Sequence, residues 1–377
     1  MNNSKLSIKA VIGFCGACIA FYIGAGFATM QEVMQYEASY GSLFPVVILV
    51  AAAIYVYTNL SFATNGNRLQ IARGGDIYGK YCSCFGERFG KILGTFYDYF
   101  SAFFCYMCFI VMCGGANSTA TQQWGLPNGV GAIVLTIAVI ITAVFGLSGI
   151  LNALGKLGPV IIVLILAVSI ITTITGADSY AAGVAAIDAG EYDLVQVGNG
   201  NPFASGASYG GFVILWFAAF LAEIGAKNKL KEVNTGMFAS TVCIFGAAAL
   251  CCFALISHID QTAAADIPAL VLANSIHPLL GQAFAVIVFC GIYTTAVPLL
   301  WTGVGRIAKE GTSRYKLFTV IGGVIGCIAA CFLPYKGLVN ILYGLNGYLG
   351  FVLVAFMIVY DVRTRMSKKS LPAKSAE

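Results

Sequence analysis

Charge is scarce in this sequence. Its 377 residues hold 21 Lys and Arg and 16 Asp and Glu, 10% in all, where ordinary globular domains carry roughly a quarter. With 59% of residues hydrophobic, a water-soluble core could not hide the apolar surface. Histidine is nearly absent: His258 and His277 both fall in one connection, which makes a His-based metalloenzyme or intramembrane proton relay hard to build. No ATP-binding motif occurs. Gly303-Val-Gly305 and Gly322-Gly-Val-Ile-Gly326 lie in apolar runs without a following strand and read as packing surfaces.

What the chain has instead is long apolar runs. Stretches of about 20 residues, enough for about 30 Å of hydrocarbon, recur along the whole length and leave no room for a separate soluble domain. The expectation is an all-α polytopic membrane protein with ten spans near 8–37, 42–64, 91–114, 129–149, 156–176, 208–226, 234–257, 279–305, 316–333 and 337–360. The first run is too long for a secretory signal and counts as a mature helix. Basic residues favour the cytoplasmic side of short loops. With both termini inside the cell, that side gathers Lys9, Arg68, Lys80, Arg88, Lys227, Arg306 and Arg314, and only Lys336 falls outside. The net charge of +5 then reflects topology in a cell inner (plasma) membrane, with no need for nucleic-acid binding. Most of the 13 cysteines sit in apolar runs as packing thiols. Cys82 and Cys84 lack a second pair or a nearby His, which argues against a zinc site.

Loop lengths suggest two halves of opposite hand. The long connection at about 65–90 follows the second span, and the long connection at about 258–278 follows the seventh, on the opposite face. That rhythm fits an inverted repeat, residues 8–176 and 208–360, within one transporter domain of residues 1–366. The acidic joining loop, 177–207, reads as external, Asn117-Ser-Thr119 forms a glycosylation sequon, and residues 367–377 read as a disordered cytoplasmic tail.

The most informative stretch is Tyr22-Ile-Gly-Ala-Gly-Phe-Ala-Thr-Met-Gln-Glu32. Gly24 and Gly26 fall at mid-span, where Gly costs about 1 kcal/mol relative to Ala and a local break becomes cheap. Thr29, Gln31 and Glu32 follow at once, and a lipid-facing helix would exclude them. An unwound segment around Gly24, Ala25 and Gly26 lining a cavity can offer amides to a carboxylate and carbonyls to a cation. The alternative is a glycine-rich packing face.

This stretch resembles the glycine-rich first helix of the YkvI family of bacterial membrane proteins, within the LeuT-like amino acid, polyamine and organocation transporter superfamily. The resemblance extends over the chain in length, span count and loop rhythm. Its most specific motif is Ile23-Gly-Ala-Gly-Phe-Ala-Thr-Met-Gln-Glu32, with Met30 where related families usually have Gly. Gly155-Lys-Leu-Gly-Pro159 is similar to the corresponding region of branched-chain amino acid carriers. The resemblance implies a five-plus-five inverted fold with substrate beside broken helices 1 and 6. Phe103 and Tyr106 in the third span and Trp216, Phe217 and Phe220 in the sixth are candidates for its aromatic wall.

In sodium-coupled members of the superfamily a Ser/Thr pair in the eighth span faces the first. Carried over, Thr294 and Thr295 supply hydroxyls while Ala20, Ile23 and Gly291 supply carbonyls, an oxygen set suited to sodium; the alternative is that both threonines bond their own helix. Lys156 stands where some proton-coupled relatives place a lysine, or snorkels at the cytoplasmic edge. Asp98, about 10 Å into the third span by helical rise, meets a cavity, a cationic substrate or a polar partner. Glu32 is an outer-gate residue or a structural hydrogen-bond acceptor, and Glu223 pairs with Lys227 four residues on.

Together these features predict a secondary active transporter of an amino acid or related small organic solute, coupled to sodium or to protons. Its partners are the solute and the bilayer; a coupling sodium is the only bound group expected, and no cofactor. The alternative is a nutrient-sensing receptor of the same fold, like the membrane subunits of germinant receptors. An enzyme lacks a convergent set of His, Cys and acid.

Overall fold

The computed structural model describes residues 6–71, 75–145 and 157–369, with backbone alone for a few of them, Ala20, Phe21, Ala25 and Trp216 included. Lys156 lies outside the described residues. The described chain is helical throughout, in the order α1 (Ile8–Tyr22), α2 (Ala25–Ala28), α3 (Gln31–Tyr36), α4 (Phe44–Leu69), α5 (Asp76–Cys82), α6 (Glu87–Trp124) and α7 (Val130–Phe145). There follow α8 (Leu157–Thr175), α9 (Tyr180–Asp188), α10 (Pro202–Lys227), α11 (Leu230–Ser257), α12 (Ile259–Thr262) and α13 (Pro268–Ile276). The last are α14 (Pro278–Gly305), α15 (Ser313–Phe332), α16 (Tyr335–Leu338) and α17 (Gly344–Lys369), so helix extends three residues past the expected tail boundary.

Helix ends follow local chemistry. Asn201 caps α10 by accepting from the amides of Phe203 and Ala204, with Pro202 in the first turn. His277 caps α14 through Nδ1, and Thr312 caps α15. At the other end of α6, Gly125 turns left-handed (φ 62°) and its N–H returns to the carbonyls of Ala120 and Thr121.

Among the described residues six helical segments are long and apolar enough to cross a membrane, and up to eight if each of two bent pairs is one span. The bent pairs are Val160–Thr175 with Ala177–Asp188, at 69°, and Pro202–Leu215 with Phe217–Lys227, at 55°. Two shorter apolar helices, Ile8–Ile19 and Val130–Val144, accompany them. Ile133, Ile137 and Ile141, four apart on α7, are each at least half exposed, as an apolar face toward lipid requires. The protein is a multi-pass membrane protein.

The packing partners repeat between the halves. α1 packs on α11 as α10 packs on α4; α6 meets α7 as α14 meets α15; α5 lies on α6 as α13 lies on α14; and α6 and α14 pack on each other. Bare backbone makes the tightest seams. A side chain at Gly66 would run into Ala222, one at Gly225 into Ala63, and one at Gly211 into Gly347. Small residues let helices in a bilayer approach this closely, where lipid is as apolar as any core.

The 13 cysteines are all free, as expected of packing thiols. The Asn117 sequon is not available to a glycan: Asn117 is buried, its Nδ2 donating to Asn128 at 2.6 Å and its Oδ1 accepting from the Gly129 amide at 2.7 Å.

Candidate functional site

Helix 1 is interrupted twice in its buried middle. α1 stops at Tyr22, where Ile23 leaves helical geometry (ψ 87°), and α2 begins at Ala25. A side chain built on Gly24 meets no atom within 4 Å, so the first interruption borders open space. The second interruption lies at Thr29 and Met30. Met30 adopts the left-handed conformation (φ 58°), which costs a non-glycine residue about 1–2 kcal/mol and which Gly, usual at this position in the resembling families, adopts freely. Thr29 satisfies the groups freed there: its hydroxyl donates to Gly26 O at 2.8 Å and lies 3.1 Å from the Tyr335 hydroxyl. Its carbonyl accepts from the Ala269 amide of α13.

Glu32, one turn beyond, is buried (4% exposed). Tyr209 of α10 donates its hydroxyl to Glu32 Oε1 at 2.8 Å. The other carboxyl oxygen faces Gly26, close enough that a Cβ there would sit 2.6 Å from it. Aromatic rings enclose the pair: Tyr209 stands 4.7 Å from Tyr36, 6.0 Å from Tyr22 and 5.8 Å from Phe212, and Phe212 stacks on Tyr343 at 5.0 Å. Phe217 joins through Tyr22 and Tyr55 at 6.3 and 5.3 Å. Glu37, at the end of α3, is fully buried; Cys252 Sγ donates to one of its oxygens at 3.7 Å and the other has no partner.

The two ends of the molecule differ. On the acidic end the site is covered: Gln35 Nε2 donates to Lys336 O, Lys336 Nζ donates to Ala263 O, and the Val197 amide donates to Gln35 O. Outside this cover lies a cavity of about 810 Å³ reaching Asn117, Gln122, Asp266 and Tyr335. On the basic end Asp98 pairs with Arg306, whose guanidinium lies over the Tyr99 ring, 4.4 Å from its centroid. Beside this pair a cleft of about 590 Å³ opens between α5, α6 and the end of α14.

The sequence-derived residues divide accordingly. Gly24 stands in the first interruption with Glu32 and Phe217 nearby, whereas Ala25 and Gly26, expected to be unwound, are helical in α2 between the two breaks, and Phe220 packs behind Phe217 at 6.0 Å. Phe103 does not line it. It is 53% exposed on the outer face of α6, because lipid accepts a phenyl ring as readily as a core does. Tyr106 is also elsewhere: its hydroxyl donates to Gly322 O at 2.9 Å, and it wedges against Gly303, between α6, α14 and α15. Thr294 and Thr295 both donate to Gly291 O, at 2.7 and 3.0 Å. Neither makes a side-chain hydrogen bond to helix 1 among the described residues, where Ile23 and the Ala20 backbone lie. Asp98 has found a polar partner, Arg306, and Glu223 pairs with Lys227 at 3.4 Å.

Sequence reasoning passed over Tyr22, Tyr36, Tyr209, Phe212 and Tyr343. The available signal was Glu32 itself: a carboxyl so deep among apolar residues needs an O–H or N–H donor, and tyrosines were the plentiful source.

No known family model matches the chain, and no curated protein sequence does. Solved structures do. A manganese transporter of Eremococcus coleocola, in a mutant form, superposes with a TM-score of 0.58 at 14% identity, over 96% of this chain and 80% of that one. MhsT in complex with L-phenylalanine superposes with a TM-score of 0.51 at 16% identity, over 92% and 88%. The interrupted first helix thus belongs to a chain with the LeuT-like transporter fold.

Proposed function

We propose that this protein is a secondary active transporter of an amino acid or a related small organic solute, working by alternating access. The observation that carries this reading is the double interruption of helix 1 beside Glu32 and the aromatic enclosure. Unwound backbone at mid-span is tolerated where it serves a cavity, and rings with a few polar groups suit an organic body with a polar head. In this reading the α1–α3 segments, α4 and α6–α8 are five spans, and α10, α11, α14, α15 and α17 are their inverted counterparts, ten in all. The exchange of packing partners between halves supports that count. Both termini are placed in the cytoplasm of the plasma membrane, with the basic end inward, as in the YkvI family that the first helix resembles.

Sodium is the coupling ion assigned to the carbonyls of Ala20, Ile23 and Gly291 with the hydroxyls of Thr294 and Thr295. Both hydroxyls donate to Gly291, which leaves their lone pairs for a cation, and α14 packs on α2. Glu32 serves the outer gate and Asp98, with Arg306, the inner one.

Counterflow in reconstituted vesicles tests the reading. Vesicles preloaded with amino acids or amines, one at a time, are expected to take up the labelled form of at least one, and an imposed sodium or proton gradient is expected to drive its accumulation. Thermal stabilisation by a solute that is never exchanged would replace the transporter with a receptor.

A further inference from the structure

Glu37 is the buried acid that the solute site does not use. It closes α3 as its C-terminal cap residue, where the helix dipole presents its negative end. Among the described residues its surroundings hold no compensating charge. From its own helix Glu32 faces it, from α1 Tyr22, from α10 Tyr209 and from α11 Cys251 and Cys252, all acidic or neutral. On α9 the ionisable neighbour of this turn is another acid, Asp188, which accepts from the Ser42 amide; α13 offers no titratable side chain. Lys336, the basic residue of this end, gives its ammonium to Ala263 O. Among the described residues neither Glu32 nor Glu37 makes an ion pair.

A negative charge at Glu37 would therefore stand uncompensated, with one oxygen bare and the other met only by a thiol. Removing an unpaired carboxylate from water is costly, and acids retained at such depth in a membrane mark proton or ion pathways. A proton removes the charge: the carboxyl becomes neutral, which costs far less to bury than the carboxylate. Water is not far away along the chain. Five residues on, Ser42 is exposed, after a kink at Gly41 (φ 52°) against α9.

We propose that Glu37 is a proton-binding site, distinct from the solute contacts, which loads when the acidic end of α3 meets water and seals when that end is covered. As a coupling site it rests on the transport reading; as a protonated acid it stands alone.

Infrared difference spectra of the full chain in lipid vesicles, recorded across a pH step, read the site without any solute. Wild type is expected to keep a carboxylic-acid C=O band at neutral pH that Glu37→Gln abolishes and Glu32→Gln leaves in place. Absence of the band in wild type, or its survival in Glu37→Gln, overturns the proposal. Where Glu37→Gln does not assemble, Cys252→Ala removes the thiol donor and keeps the acid; the band must then shift, and an unmoved band overturns the assignment. In exchange-competent vesicles Glu37→Gln is expected to retain counterflow and lose solute-driven proton movement. Wild-type vesicles that exchange solute without moving protons sink the coupling role and leave transport standing; the band without any exchange supports the proton site and removes the transport reading.

Discussion

Tyr209 donates its hydroxyl to Glu32 Oε1 at 2.8 Å, and this one bond ties α10, in the second half of the chain, to the unwound stretch of the first. Tyr209→Phe leaves a buried acceptor bare, a loss of about 1–3 kcal/mol. Thermal unfolding in detergent is expected to report it as a clear fall in midpoint. Glu32→Gln retains an acceptor for the same hydroxyl and is expected to hold stability while weakening solute binding. A Tyr209→Phe protein as stable as wild type would show that the bond does not anchor the site.

Gly24, in the first break, and Gly26, inside α2, are expected to respond oppositely to a methyl group. At Gly24 a Cβ meets nothing within 4 Å, whereas at Gly26 it meets Glu32 Oε2 at 2.6 Å and the Tyr343 hydroxyl at 3.2 Å. Gly24→Ala should fold and keep the Glu32 environment, with any deficit confined to solute affinity. Gly26→Ala must displace the Glu32 carboxyl and is expected to lose both counterflow and stability. Equal behaviour of the two variants in a paired uptake and melting assay would contradict this.

Asp98 and Arg306 are each about a quarter to a third exposed, so solvent screens them. A double-mutant cycle on thermal stability, with Asp98→Asn and Arg306→Gln, is expected to give a coupling of about 1 kcal/mol and not several. A cycle that closes at zero removes the pair as an inner latch.

The sodium site proposed at the threonines has a direct readout. Sodium is expected to raise the melting midpoint of wild type and to leave Thr294→Ala with Thr295→Ala unmoved relative to potassium. The same response in both proteins would take the ion away from this site.

Cys82, in the connection after α4, is fully buried, and that burial, with the Cys84 thiol adding, pushes its thiol up to about 12. Since the thiolate is the reactive form, almost none is present at neutral pH. Mass spectrometry after maleimide treatment should find Cys82 unmodified in the folded protein and modified once denaturant opens it. Labelling under native conditions would place Cys82 at the surface.

Much of this was legible in the sequence, for reasons that particular residues make plain. Gly24, Gly26 and the polar Thr29-to-Glu32 stretch contradict a simple span, and the break stands there. The left-handed Met30 was not legible, since nothing in a methionine announces positive φ. At the centre of the sixth span the small pair is Ala218-Ala219, and the bend falls just before it, at residues 215–217. The aromatic wall was read poorly: Phe103 faces outward and Tyr106 faces its neighbours, while Tyr209 and Tyr343 carry the enclosure. Periodicity separates apolar from polar faces, and in a bilayer both the lipid side and the core side are apolar, so it could not choose between them. Glu37 was visible as a residue but not as a site, because its significance lies in what five other helices fail to bring near it.

Between α4, α10 and α17 the contact runs through Gly66, Gly206, Gly211, Gly225, Gly347 and Gly350, with main chain resting on main chain. Val50 and Ser208 are the side chains that reach into this joint, so the helices lie too close for one to turn or part without a clash. In the proposed transport reading, α4, α10 and α17 are expected to travel as one block, and the rocking it calls for would be taken up where bulkier neighbours can slide.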